Sequence, residues 1–153
     1  CKEVGVDGLI VVDLPIEHSD EICIPAQKSG IDFINFITPT TNKERLEQIL
    51  NVSSGFLYFV SIAGITGTKA PNNKIIKELI KKVKQNTDLP IGVGFGIKTS
   101  SQVKEISDFS DAIVVGSAIV NEINSLKIKK FDNDLIVKNM IDFLLELSNP
   151  LKG

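Results

Sequence analysis

Glycine stands at three places in the 153-residue chain where a short apolar run gives way to a polar turn. The first is Ser61-Ile62-Ala63-Gly64-Ile65-Thr66-Gly67-Thr68, the second Gly94-Phe95-Gly96, the third Gly116-Ser117. A glycine lets backbone amides close on an anion with no Cβ in the way, and a serine opening a helix adds a hydroxyl to the positive end of the helix dipole. Each glycine taken singly reads first as a turn residue. Three on successive strand ends read together as a phosphate cradle, because barrel enzymes hold phosphate between the loops after their last two strands and a short extra helix. Gly116-Ser117-Ala118-Ile119-Val120 has the sequence to begin such a helix.

Groups able to move a proton are few. Asp13 ends the first apolar run within Val12-Asp13-Leu14-Pro15, where a barrel places catalytic groups, but with no second carboxylate or base nearby in sequence it reads first as a helix or turn cap. Glu17 reads as first-turn helix charge, and His18, the one histidine, has no partner with metal-ligand spacing and reads as a surface residue. Tyr58 lies within an apolar run, so its hydroxyl needs a partner, either in the core or on a ligand. Phe36 and Phe95 are strand-end aromatics that belong to the core unless the ligand is itself flat and apolar.

Five apolar runs place these residues: Gly8 to Val12, Phe33 to Ile37, Phe56 to Val60, Pro90 to Val93 and Ala112 to Val115. None alternates apolar with polar throughout, so each reads as a strand of a parallel sheet buried on both faces. Helices intervene. Thr41 with Glu44 and Thr99 with Gln102 have capping-box spacing. Asn73 to Gln85 repeats Ile75, Ile76, Leu79, Ile80 and Val83 at helical intervals, and Leu135, Ile136, Met140, Ile141, Leu144 and Leu145 do so near the end, so both should bury a face on the sheet. Pro25 predicts a kink or a late start in the helix between Glu17 and Ser29. Cys1 to Gly5 reads as the last turn of a helix stopped by glycine, and Ser148-Asn149-Pro150 as a stop after the last one.

The composition, 42% hydrophobic and 24% charged, is that of one globular domain, 1–153, with no linker. A formal charge of −2, one Tyr and no Trp supply neither the basic field nor the stacking surface that nucleic acid requires. No apolar run reaches the roughly 20 residues of a membrane span. Two cysteines, Cys1 and Cys23, imply reduced thiols and no metal site. A complete (β/α)₈ barrel takes roughly 250 residues, about 31 for each unit, so this length holds about five of eight units.

In their order and spacing, these stretches resemble the tryptophan synthase α-subunit family. The matching residues are Gly5-Val6-Asp7-Gly8 leading to Asp13-Leu14-Pro15, Thr38-Pro39-Thr40-Thr41, Tyr58-Phe59-Val60-Ser61 with Gly64-Ile65-Thr66-Gly67, Gly94-Phe95-Gly96-Ile97, and Val115-Gly116-Ser117-Ala118-Ile119-Val120. The resemblance implies the C-terminal portion of a (β/α)₈ TIM barrel, with N-terminal units upstream of Cys1. The implied enzyme is a lyase of tryptophan biosynthesis that cleaves indole-3-glycerol phosphate to indole and glyceraldehyde 3-phosphate. It passes indole to a β subunit in an α2β2 heterotetramer. Phosphate would be held at Gly67, Gly96, Gly116 and Ser117, and indole against Ile10, Val12, Phe36, Tyr58 and Phe95. Thr66 would fasten the closed loop and Pro15 would face the β subunit. No metal or cofactor is implied in the α subunit, pyridoxal phosphate belonging to the β subunit, and the implied compartment is the cytoplasm or the plastid stroma. The family's two catalytic carboxylates fall upstream of Cys1, which implies an inactive fragment. A non-catalytic half-barrel that binds phosphate or the β subunit is the competing reading. Another phosphate-binding barrel enzyme, of the isomerase or aldolase kind, is a third.

Overall fold

The computed structural model describes residues 1–60, 73–94 and 96–151. Five strands run β1 Gly8–Ile10, β2 Asp32–Ile37, β3 Leu57–Val60, β4 Ile91–Gly94 and β5 Ala112–Val114. Six helices follow them in turn: α1 Asp20–Lys28, α2 Lys43–Val52, α3 Asn73–Lys84, α4 Ser100–Ser107, α5 Ser117–Ile128 and α6 Asn133–Ser148. Every strand pairs parallel with the next in sequence, giving the order β1-β2-β3-β4-β5. That is the arrangement of five consecutive βα units of a (β/α)₈ barrel.

The register sorts the side chains into two faces. Ile37, Phe59 and Val93 share a row, as do Leu57 and Ile91, and all five are buried beneath the helices. Ile49 of α2, Ile76 and Ile80 of α3, and Val103 and Ile106 of α4 close over them as one core. The next row along, Phe36 and Tyr58, is only half-buried, and Ile10 on the edge strand is 43% exposed. The sheet is therefore covered on its helix side and open on the other. That departs from the expectation of burial on both faces, since a barrel strand buries its inner face only against strands across the lumen.

Local chemistry explains most element boundaries. The Thr99–Gln102 capping box forms: Thr99 Oγ1 accepts from the Gln102 amide at 3.3 Å, while Gln102 Oε1 accepts from the Thr99 amide at 3.2 Å. The expected Thr41–Glu44 box does not. Thr41 Oγ1 is taken by the Thr38 amide at 2.9 Å, so Asn42 caps α2 instead, its side chain accepting from the Arg45 amide at 2.8 Å. α1 starts late, at Asp20, after a 3₁₀ turn Ile16–His18, and carries Pro25 inside it. The buried Ser19 joins turn to helix, its hydroxyl donating to the Ile16 carbonyl at 2.7 Å. At the N-terminus a 3₁₀ turn, Lys2–Val4, ends at Gly5 in the left-handed region with φ 82°.

β1 stops at Ile10, two residues short of the expected end, because an edge strand has one ladder partner and the chain turns at Val12-Asp13 ahead of Pro15. α6 is the larger departure. Leu147 is its one buried residue, and the helix packs against α4 and α5 while Leu135, Ile141, Leu144 and Leu145 remain 39–52% exposed. Among the described residues the apolar face that periodicity assigned to the sheet has no strand beyond β5 to cover it.

Candidate functional site

The inner face of the sheet and the rim at its carboxyl end form the candidate site. Phe36 and Tyr58 sit side by side in register, ring centroids 5.3 Å apart and tilted by 60°. Such a tilted pair is a favourable aromatic geometry and presents an apolar aromatic wall. Burial pushes the Tyr58 phenol above its ordinary value, so at neutral pH it is an uncharged hydroxyl able to donate. Ile10 lies on the same face at the end of β1. Val12 is 71% exposed beyond the strand end, and lines with Leu14, Phe36 and Thr38 a cavity of about 240 Å³ at the rim. The structure thus brings Ile10, Phe36 and Tyr58 onto one surface with Val12 at its margin.

The glycine loops divide. Gly64, Thr66 and Gly67 lie outside the described residues, as does Phe95. Gly94 serves the site differently from the expected loop residue: it is buried inside β4, and a Cβ there would fall 2.6 Å from Tyr58 Cζ. Its role is to make room for the Tyr58 ring. Gly96 is exposed with φ 75°, a conformation that glycine adopts without strain. Gly116 caps the N-terminus of α5, and a Cβ there would meet nothing within 4 Å. Ser117 opens that helix, exposed, with no side-chain cap competing for the first-turn amides. Open space and a positive dipole end suit an anion at this point.

On the neighbouring part of the rim, Pro15 is exposed at the start of the 3₁₀ turn. Arg45 donates from Nη1 to Glu17 Oε1 at 2.9 Å and ties that turn to α2. Hydrogen bonding from its own backbone, then from Arg45, holds the Glu17 carboxyl below the usual range. Glu17 is therefore an ion-pair partner rather than mere first-turn charge. His18 is on the surface as expected, 3.8 Å from Glu21. Asp13 is exposed on the turn after β1. Among the described residues no group of three or more His, Cys, Asp or Glu could hold a metal ion.

Two features escaped sequence reading. The hydroxyls of Thr38, Thr40 and Thr41 converge, 2.9 and 3.2 Å apart, into a stiff rim loop; the Thr-Pro-Thr-Thr run hinted at this. At the opposite end of the sheet, Asp111 accepts from the Ile91 amide and from Lys84 Nζ, both at 2.8 Å. That contact spans about 20 residues of sequence and has no local signature.

Consecutive parallel βα units, with a lumen face carrying paired aromatics and a helix opening at Gly116-Ser117, define part of a (β/α)₈ barrel. The chain belongs to the tryptophan synthase alpha chain family, whose sequence pattern matches residues 1–144. Solved structures agree. The chain is 33% identical to tryptophan synthase subunit alpha from Legionella pneumophila str. Paris, with a TM-score of 0.85 over 98% of this chain and 53% of that one. For the Campylobacter jejuni subunit alpha the values are 34%, 0.76, 91% and 54%. For the tryptophan synthase a2b2 complex of Pyrococcus furiosus they are 31%, 0.79, 97% and 58%. The chain therefore spans about half the length of these solved relatives.

Proposed function

We propose that these residues form the substrate-cradling portion of a lyase that cleaves indole-3-glycerol phosphate to indole and glyceraldehyde 3-phosphate. The observation that carries this reading is the Phe36–Tyr58 pair facing the lumen, an aromatic surface on which an indole ring can pack. The α5 N-terminus at Gly116 and Ser117, with Gly96 beside it in the reading, suits the phosphate. Gly67 would join them, and Phe95 and Thr66 would add a pocket wall and a loop fastening. Pro15 and its 3₁₀ turn would meet a β subunit, as in the α2β2 assembly for which the Pyrococcus furiosus protein is named.

In the reaction the bond between the indole ring carbon and the glycerol side chain breaks. A proton is delivered to that ring carbon, and the hydroxyl of the departing fragment gives up its own to become the aldehyde. Each transfer needs a placed acid or base. Tyr58 is a neutral donor on the lumen face, and Asp13 is exposed on a turn, so neither is a matched pair. The two carboxylates would come from barrel units outside these residues. No metal or organic cofactor enters the proposed α reaction; pyridoxal phosphate would act on the β subunit. Free thiols at Cys1 and Cys23 suit a reducing compartment, cytoplasm or plastid stroma, and among the described residues no helix is long and apolar enough to cross a membrane.

Titration with glycerol 3-phosphate, followed by amide shifts of Gly116 and Ser117, tests the cradle, and indole release tests the chemistry. Binding by the 153-residue chain, with indole formed only when units carrying both carboxylates are supplied, is the expected result. A chain that binds glycerol 3-phosphate and the β subunit yet yields no indole with those units supplied would favour the competing reading, a non-catalytic binding module. That reading draws on Glu17 being held by Arg45 and on Asp13 standing exposed on its turn. Absence of any phosphate-dependent shift at Gly116 and Ser117 would overturn the assignment.

A further inference from the structure

A second cavity lies on the other side of the sheet. Side chains alternate along β2 and β3, so Ile37 and Phe59 point away from the face that carries Phe36 and Tyr58. They floor a cavity of about 290 Å³ between α2 and α3, walled by the half-buried Leu46 and Leu79. Thr38, Thr41, Asn42, Gln85 and Asn86 line it as well, so it is a cleft with an apolar floor and polar sides. It is near the lower limit of small-molecule pockets, which are mostly apolar with a few polar groups placed to orient the ligand.

The rim supplies that orientation. Lys43 of α2 and Lys82 of α3 stand among the lining residues, and among the described residues no carboxylate does. Lys43 has one ion-pair contact, with Glu47 at 3.9 Å, and both side chains are well exposed, so the pairing is loose and screened. Two lysines among the residues lining a slot with an apolar floor complement a molecule with an apolar body and one anionic end. We propose that the α2–α3 cavity binds a small amphiphilic carboxylate, its ring or short chain against Phe59, Leu46 and Leu79 and its charge toward Lys43 and Lys82. Because Asn42 caps α2 directly after the Thr38–Thr41 loop, an occupant of this slot bears on the helix that carries part of the catalytic-side rim.

The probe is 1-naphthoate, titrated into the 153-residue chain with labelled Leu, Ile and Val methyl groups, against its neutral analogue 1-naphthamide. Small apolar ligands of this size bind at about 0.1–1 mM. Saturable shifts of Leu46, Leu79 and Val83 methyls are expected, with the amide weaker by about threefold to tenfold and that preference lost in Lys43→Gln/Lys82→Gln, whose exposed changes spare the fold. Leu79→Phe, which fills the slot, should weaken naphthoate at least tenfold; if it disturbs the fold, Leu46→Phe serves the same purpose. Equal affinity for acid and amide, shifts centred on Ile10 or on Ile141 and Leu145 instead, or no saturable shift by 5 mM would each overturn the proposal. Because this cavity is on the opposite face from Phe36 and Tyr58, its failure leaves the glycerol 3-phosphate result untouched, and the reverse holds too.

Discussion

Tyr58 lays its ring across the α-carbon of Gly94 on the adjacent strand. The register pairs Tyr58 with Gly92 and Val60 with Gly94, so the phenol leans diagonally along the sheet toward the rim. A Cβ at Gly94 would sit 2.6 Å from Tyr58 Cζ and 2.8 Å from Cε1, well inside contact distance. Gly94→Ala should therefore either move the ring or strain the sheet, at a cost of about 1–3 kcal/mol. Urea unfolding measures the cost. Tyr58→Ala in the same chain should recover most of the Gly94→Ala component, a coupling that independent sites would not show.

Asp111 sets an acid limit on stability. Burial disfavours its charge, but the hydrogen bond from Lys84 and that from the Ile91 amide together outweigh burial and lower its pKa below the ordinary 3.8. A lowered folded-state pKa contributes stability that is complete above the unfolded value and is lost as pH falls through the folded one. The loss should therefore appear below about pH 4. Asp111→Ala leaves the amide of buried Ile91 without its acceptor and should cost about 1–3 kcal/mol at pH 7. Unfolding midpoints between pH 2 and 7 should show a flatter acid limb for Asp111→Asn; an unchanged limb would place the acid sensitivity elsewhere.

Two caps are predicted to matter and a third, suggested by spacing, is not. Thr99→Ala and Asn42→Ala should each cost about 1 kcal/mol, because each side chain satisfies an orphan amide at its helix start. Thr41→Ala should leave the α2 cap intact and act through the Thr38 loop instead. Far-ultraviolet circular dichroism under denaturant separates the cases: α2 fraying should follow Asn42→Ala and not Thr41→Ala.

The uncovered stripe of α6 gives a prediction about association. Ile141 and Leu145 are 52% and 48% exposed, so Ile141→Lys with Leu145→Lys should change stability by no more than about 0.5 kcal/mol while reducing self-association of the chain. If that stripe is the seam against further barrel units, the same pair should abolish their docking. Analytical ultracentrifugation with and without those units reads both effects.

How much of this was legible beforehand is clearest at particular residues. All five strands, the Thr99–Gln102 box, the late start before Pro25 and the surface position of His18 follow from local pattern, and the structure carries them within a few residues. The Thr41 cap failed because Thr38 competes for the same hydroxyl, a contact across three residues that spacing rules do not weigh. The burial of α6 failed because helical periodicity names an apolar face but not what covers it.

By itself, then, the chain determined its βα rhythm, its parallel order, its family and the glycines and aromatics that stand at its strand ends, since these depend on neighbours within a few positions. Tertiary structure alone decided that Tyr58 needs Gly94, that Asp111 clasps β4 and Lys84, and that Ile37 and Phe59 floor a slot between α2 and α3 while Phe36 and Tyr58 face the lumen. Strand register and helix docking set those relations, and both are fixed by contacts between residues far apart in sequence.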